Sequence, residues 1–170
     1  MDKRAARRGG WRWNTLYILY ACAMVGLICL LFTLRAGAIG WLRYVGWALF
    51  VVSAALGWLP ILAFRQHGRV AQGKSYMHTT ALVTSGLYAV VRHPQYLASD
   101  FLATAVMCIL QHWAAYLAGV VAVAANHITM ATADRALVAK FGEPYREYMH
   151  RIPRWNLLVG LWRWLHHRTG

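Results

Sequence analysis

Three stretches of 21 residues, 14–34, 44–64 and 113–133, contain no Asp, Glu, Lys or Arg. Wound as helices at about 1.5 Å per residue, each reaches roughly 31 Å, the thickness of a hydrocarbon core. The pattern predicts three transmembrane helices. A fourth apolar run, 97–110, is shorter and carries Asp100. Only Gln111 and His112 separate it from the next stretch, which predicts a tight helical hairpin and with it a fourth span. The first stretch is too long for the apolar part of a signal peptide, and Thr33 to Ala38 makes a poor cleavage site. It is therefore read as a span.

Polar segments divide the rest. Pro60 near the end of the second stretch is expected to kink it or mark its last turns. Residues 65–85, with His67, Gly68, Gly73, His78, Thr79 and Thr80, read as a structured connector. In 134–148 the spacing of Leu137, Val138, Phe141, Tyr145 and Tyr148 makes one apolar helix face, which Gly142 and Pro144 break into two pieces. From Trp155 to Leu165, four leucines and three tryptophans flank Arg163, as in an amphipathic helix lying in the headgroup layer. The expected protein is all-α and integral to the membrane, a single domain of about four transmembrane helices. It has a basic N-terminal tail (1–13), a hairpin (14–64), a connector (65–96), a second hairpin (97–133) and a C-terminal cap (134–170).

Composition sharpens this. Hydrophobic residues make up 59% of the 170 and charged residues 14%, where a soluble domain carries about 25% charged. This composition argues against a soluble globular enzyme. The net charge of +13 would suit nucleic acid or an anionic membrane, and nine Trp in an apolar chain select the membrane. Sixteen of the 18 basic residues fall before the first stretch, between the second and third spans, or after the last, leaving Arg35 and Arg43 in the first loop. The positive-inside rule then puts both termini in the cytosol, with a bacterial inner membrane as the expected location. The charge is accounted for by topology and anionic lipid, with no nucleic-acid partner. Cys22, Cys29 and Cys108 all sit in apolar runs, so neither a disulfide framework nor a zinc site is expected. No metal is expected at His93 or His127, which lack supporting ligands at recognisable spacing.

Special residues concentrate in 84–96. Gly86 permits close backbone approach, and Pro94 fixes its own φ and favours an extended His93. A helix beginning at Pro94 would offer free N–H groups to a carboxylate. Tyr88 and Tyr96 would offer ring faces to a sulfonium or other onium cation, and His93 a ligand or base near neutral pH. The plainer alternative is an interfacial turn, with Arg92 snorkelling and the tyrosines in the aromatic belt. Asp100 is read either as functional or as reaching water or Arg92 near the membrane surface. Asn126 and His127, inside the last span, either hydrogen-bond between helices or line a pocket.

Taken together, Gly86-x-Tyr88-x-x-x-Arg92-His93-Pro94-x-Tyr96, then Phe141-Gly142-Glu143-x-Tyr145-x-x-Tyr148 and Arg151-Ile152-Pro153-Arg154, closely resemble the isoprenylcysteine carboxyl methyltransferase family. Its wider superfamily includes phospholipid N-methyltransferases and methanethiol S-methyltransferase-like proteins. The resemblance covers roughly residues 83–154. It implies a membrane enzyme using S-adenosylmethionine, with a lipophilic small molecule, lipid or lipidated substrate entering from the bilayer. By position, it places Tyr88, His93, Pro94, Tyr96, Leu97, Asn126, Asp134, Tyr145 and Tyr148 around the cofactor, and Arg92 and Asp134 at the chemistry. One departure stands out. Many relatives carry two adjacent glutamates shortly before the Phe-Gly pair, where this chain has Ala133-Asp134.

Chemistry bears on this only modestly. A Rossmann-type methyltransferase needs alternating strands and helices with a Gly-rich turn, and the chain has no such pattern. Any S-adenosylmethionine site is therefore built from helix ends and loops, where methyl transfer needs positioning and desolvation more than acid–base help. The acceptor group, carboxyl, amine or thiol, is left open. So is a second reading, prompted by Ala133-Asp134, of a non-catalytic family member serving as a subunit or assembly factor of a membrane complex. A membrane reductase is a third and weaker reading, since sterol-reductase-like proteins share an Arg-His-Pro-x-Tyr block.

Overall fold

The computed structural model describes the backbone of residues 3–67 and 82–168, with side chains at 15–61 and 82–166. The elements are α1 (Lys3–Thr33), α2 (Gly40–His67), a 3-10 turn (Gly86–Ala89), α3 (Pro94–Leu110), α4 (Trp113–Phe141), α5 (Glu143–Arg151) and α6 (Leu157–Arg168). Among the described residues there is no strand. Segments Thr15–Thr33, Gly40–Ile61 and Trp113–Phe141 are long and apolar enough to cross a membrane, and α3 is a shorter apolar helix. Many of the large side chains these segments expose are hydrophobic, among them Phe32 (84%) and Tyr44 (77%). Hydrocarbon tolerates such faces only where the backbone is bonded within the helix.

Three boundaries differ from the sequence expectation. The basic N-terminal stretch is not a separate tail, because α1 begins at Lys3; its Arg and Ala residues are good helix formers. The second hairpin does not end at 133, because α4 runs unbroken to Phe141 and places Asp134 inside a helix. Helix α2 likewise carries past 64 to His67 with Pro60 inside it. Most of the predicted connector, 68–81, lies outside the described residues, so the reading of Gly68, Gly73, His78, Thr79 and Thr80 does too.

The chain forms two compact units, one of residues 1–53 and 99–133, the other of 54–98 and 134–170. The first unit is held by small residues. Ala103, Ala115 and Ala122 pack with Leu27, Val106 and Leu110, with Tyr20 and Met24 against them, and small side chains let membrane helices approach closely. Gly46 makes the same point, since a Cβ there would stand 2.9 Å from the Ala105 carbonyl. The α3–α4 turn is clamped by Gln111, which adopts a left-handed φ of 50°. Its amide accepts from Ile39 N–H (3.0 Å) and donates to the Ile39 carbonyl (2.9 Å).

The second unit is tied together by hydrogen bonds between short segments. Arg92 N–H donates to the Pro153 carbonyl (3.0 Å) and His93 N–H to the Arg154 carbonyl (3.2 Å). Pro94 opens α3, and the His93 carbonyl accepts the first helical bond, from Leu97 N–H. Gly142, with φ 66° and ψ −137°, ends α4 and starts α5 in a conformation closed to other L residues. Helix α6 seats on this unit through Gly160, where a Cβ would run into the Val90 carbonyl and reach 3.2 Å from Pro153.

Candidate functional site

The buried carboxylate of Asp134 is the centre of the second unit, with 2% of the residue exposed. Its Oδ1 lies 2.7 Å from His93 Nε2 and accepts from the Tyr145 hydroxyl (2.8 Å) and Arg92 Nη1 (3.3 Å). Its Oδ2 accepts from Arg154 Nε (2.8 Å). Four donors from three other segments therefore converge on one side chain of α4. Such charge-assisted bonds are roughly twice as strong as neutral ones. An isolated carboxylate at this depth would be costly, and two guanidinium groups compensate it.

The neighbouring tyrosines complete the frame. The Tyr148 hydroxyl donates to the Tyr88 carbonyl (2.6 Å), holding α5 against the 3-10 turn. Tyr145 and Tyr148 meet with tilted rings at 5.7 Å, and His93 meets Tyr96 edge-on at 5.4 Å. Burial, reinforced by the Asp134 carboxylate, pushes the Tyr145 hydroxyl well above the usual tyrosine range. Burial does the same to Tyr148, with Tyr145 and Tyr88 adding to it. Both phenols therefore stay protonated donors through neutral pH.

The structure thus brings Arg92, His93, Asp134 and Tyr145 together by direct bonds, with Tyr88, Tyr96 and Tyr148 in their packing, while Pro94 and Leu97 are buried at the start of α3. Arg154, noted in the sequence only as part of the closing motif, is a fourth direct donor to the carboxylate. Asn126 lies in the first unit, where its Nδ2 donates to Asp100 Oδ1 (2.7 Å). Asp100 is thus held by Asn126, and the Arg92 guanidinium bonds to Asp134.

One atom of the cluster is left over. Arg92 Nε is buried and has no hydrogen-bond partner among the described residues, although the side chain is only 8% exposed. A buried donor without an acceptor costs about 1–3 kcal/mol. Cavities of about 750 and 280 Å³ open in the same unit. Ala89, Arg151 and Ile152 border both. Trp162 and Trp164 line the larger, and Tyr148 is the one expected site residue lining either.

A family model for phospholipid methyltransferases matches residues 41–143. No curated protein and no solved structure matches the chain. The matched span includes the Arg92-His93-Pro94-x-Tyr96 block and Asp134, and stops just short of Tyr145, Tyr148 and Arg154. It covers more than half of the sequence, including α3, α4, nearly all of α2, and the turn before α3. The chain belongs to the phospholipid methyltransferase family.

Proposed function

We propose that the protein transfers a methyl group from S-adenosylmethionine to a lipophilic acceptor at the cytosolic face of a bacterial inner membrane. The observation that carries this reading is the buried Arg92 Nε, a donor without a partner among the described residues, beside a carboxylate that already has four. An amino-acid carboxylate is the kind of group such a donor lacks, and S-adenosylmethionine carries one. Its sulfonium supplies an electrophilic methyl group.

The chain's own residues have separable tasks in this scheme. Arg92 Nε receives the carboxylate end. Tyr88, Tyr96 and Tyr148 offer ring faces to the cation. His93, Pro94 and Leu97 form the wall at the start of α3, and Tyr145 stiffens it. Asp134 acts by position rather than by contact. Its oxygens are occupied by protein donors, and it fixes the orientation of Arg92, His93 and Tyr145. Tight positioning and exclusion of water are what methyl transfer needs from a protein.

Titration calorimetry with S-adenosylmethionine and S-adenosylhomocysteine tests the proposal. Binding of both is expected in detergent and in lipid, and heat from neither in either medium would overturn it. The saturated Asp134 carboxylate also suits a non-catalytic family member built into a membrane complex. A stoichiometric partner recovered from native membranes, together with no uptake of either compound, would establish that second reading.

A further inference from the structure

We propose that the larger cavity, between the end of α5 and α6, binds the phosphate of an anionic phospholipid, as a site separate from the group around Asp134. This site stands whether or not the protein transfers methyl groups. The cavity, of about 750 Å³, lies wholly within the second unit and falls in the size range of small-molecule sites. Its wall includes His150 and Arg151 from the last turn of α5, with Trp162, Arg163 and Trp164 from α6. Among the described residues no Asp or Glu lines it. None of the four donors to the Asp134 carboxylate lines it either.

The basic groups are held in place. Arg163 Nη1 donates to the Arg151 carbonyl (3.2 Å), which joins α6 to the last turn of α5. That bond takes one of the five N–H donors of a guanidinium. Arg151 Nη2 stands 3.7 Å from Glu147 Oε2, and both side chains are mostly exposed. Such a pair is loose and screened by water. Gly160 fixes the wall, because its close approach to the Val90 carbonyl seats α6 just before Trp162 and Arg163.

Charge and polarity together select the ligand. Two guanidinium groups with no carboxylate in the wall favour an anion, and phosphate oxygens accept paired N–H bonds from arginine. The exposed face of α6 selects a lipid over a soluble phosphate. Leu158, Leu161, Trp162 and Leu165 recur at helical spacing and are all exposed, Leu158 to 79%. Such a face is stable against acyl chains. Trp162 belongs both to that face and to the cavity wall. A lipid with its chains along the face therefore brings its phosphate to the arginines. A net-negative headgroup is preferred to a zwitterionic one, whose ammonium would meet Arg151 and Arg163 with no carboxylate in the wall to receive it.

Calorimetric titration of the purified full-length protein with dihexanoyl phosphatidylglycerol, dihexanoyl phosphatidylcholine and inorganic phosphate tests this. The wild type is expected to bind phosphatidylglycerol at least tenfold tighter than either of the others. Arg151→Gln and Arg163→Gln are each expected to weaken that binding at least fivefold. Arg146→Gln removes the same charge from α5 outside the cavity wall and is expected to leave it within twofold. Equal affinity for the two lipids, no loss in the cavity variants, or an equal loss in Arg146→Gln overturns the proposal. Inorganic phosphate bound as tightly as phosphatidylglycerol makes this a site for soluble anions and overturns the lipid assignment. If Arg163→Gln melts early, Arg151→Gln decides, since α6 is held by the Arg151 backbone and not by its side chain. S-adenosylhomocysteine is titrated into the same proteins, and loss of its binding in Arg151→Gln would give the cavity to the methyl donor and likewise overturn the proposal.

Discussion

At the scale of single residues, removing the Asp134 charge should cost more than removing the hydroxyl of its partner Tyr145. Asp134→Asn leaves Arg92 and Arg154 beside a neutral amide, half of whose polar capacity is donor rather than acceptor. Breaking a buried ion pair by removing one partner costs about 3–5 kcal/mol. Tyr145→Phe deletes one neutral donor and should cost about 0.5–1.5 kcal/mol. Thermal melting of the two variants in detergent checks the order, and an Asp134→Asn melting temperature equal to that of Tyr145→Phe would contradict it. Much of this site was legible in the sequence, because Arg92, His93 and Tyr145 fall in recognisable blocks and Asp134 marks a departure from a pattern. Its depth was not legible. Charged residues from 134 onward end the apolar run, which suggests a helix-end acid in water, whereas the donors that bury it come from segments 11 to 42 residues away. No local periodicity records such convergence.

Among the elements, the strongest local signals located their boundaries well. Pro94 starts α3, Gly142 separates α4 from α5, and Gln111-His112 turns α3 into α4. Hydropathy placed the end of α4 eight residues too early, because a helix continues on its backbone bonds after its side chains turn polar. The seating of α6 was equally hidden, since nothing in an amphipathic stretch says which glycine meets a carbonyl. That contact gives a direct test. In Gly160→Ala the added methyl meets the Val90 carbonyl, a backbone atom that has no rotamer to escape into. Overpacking of this kind costs about 1–3 kcal/mol, so α6 should lift and trypsin should cut at Arg163 several-fold faster than in the wild type. Gly26→Ala, where an added Cβ meets nothing within 4 Å, is the control and should digest at the wild-type rate. Equal digestion of all three proteins would show that Gly160 is not the anchor of α6.

For the whole molecule, the short helix decides the topology. Three helices are long and apolar enough to cross a membrane, and three crossings alone would leave the termini on opposite sides. Helix α3 has 17 residues, which at about 1.5 Å each reach roughly 25 Å, short of a core of about 30 Å but within what tilt and local thinning accommodate. The distribution of charge argues that it crosses. With a fourth crossing, Arg35 and Arg43 alone face outward and the other 16 basic residues face the cytosol; with three crossings the seven basic residues after 133 would face outward against the positive-inside rule. Replacing the three cysteines prepares the test, and the exposed positions of Cys22 and Cys29, with Cys108 half-buried, make their removal tolerable. A single cysteine introduced at Ala38 should then react with a membrane-impermeant maleimide in intact cells. One introduced at His150 should react only after permeabilisation. Labelling at 150 from outside, with 38 also labelled, would mean an odd number of crossings, and α3 would then be a helix that enters the membrane without spanning it.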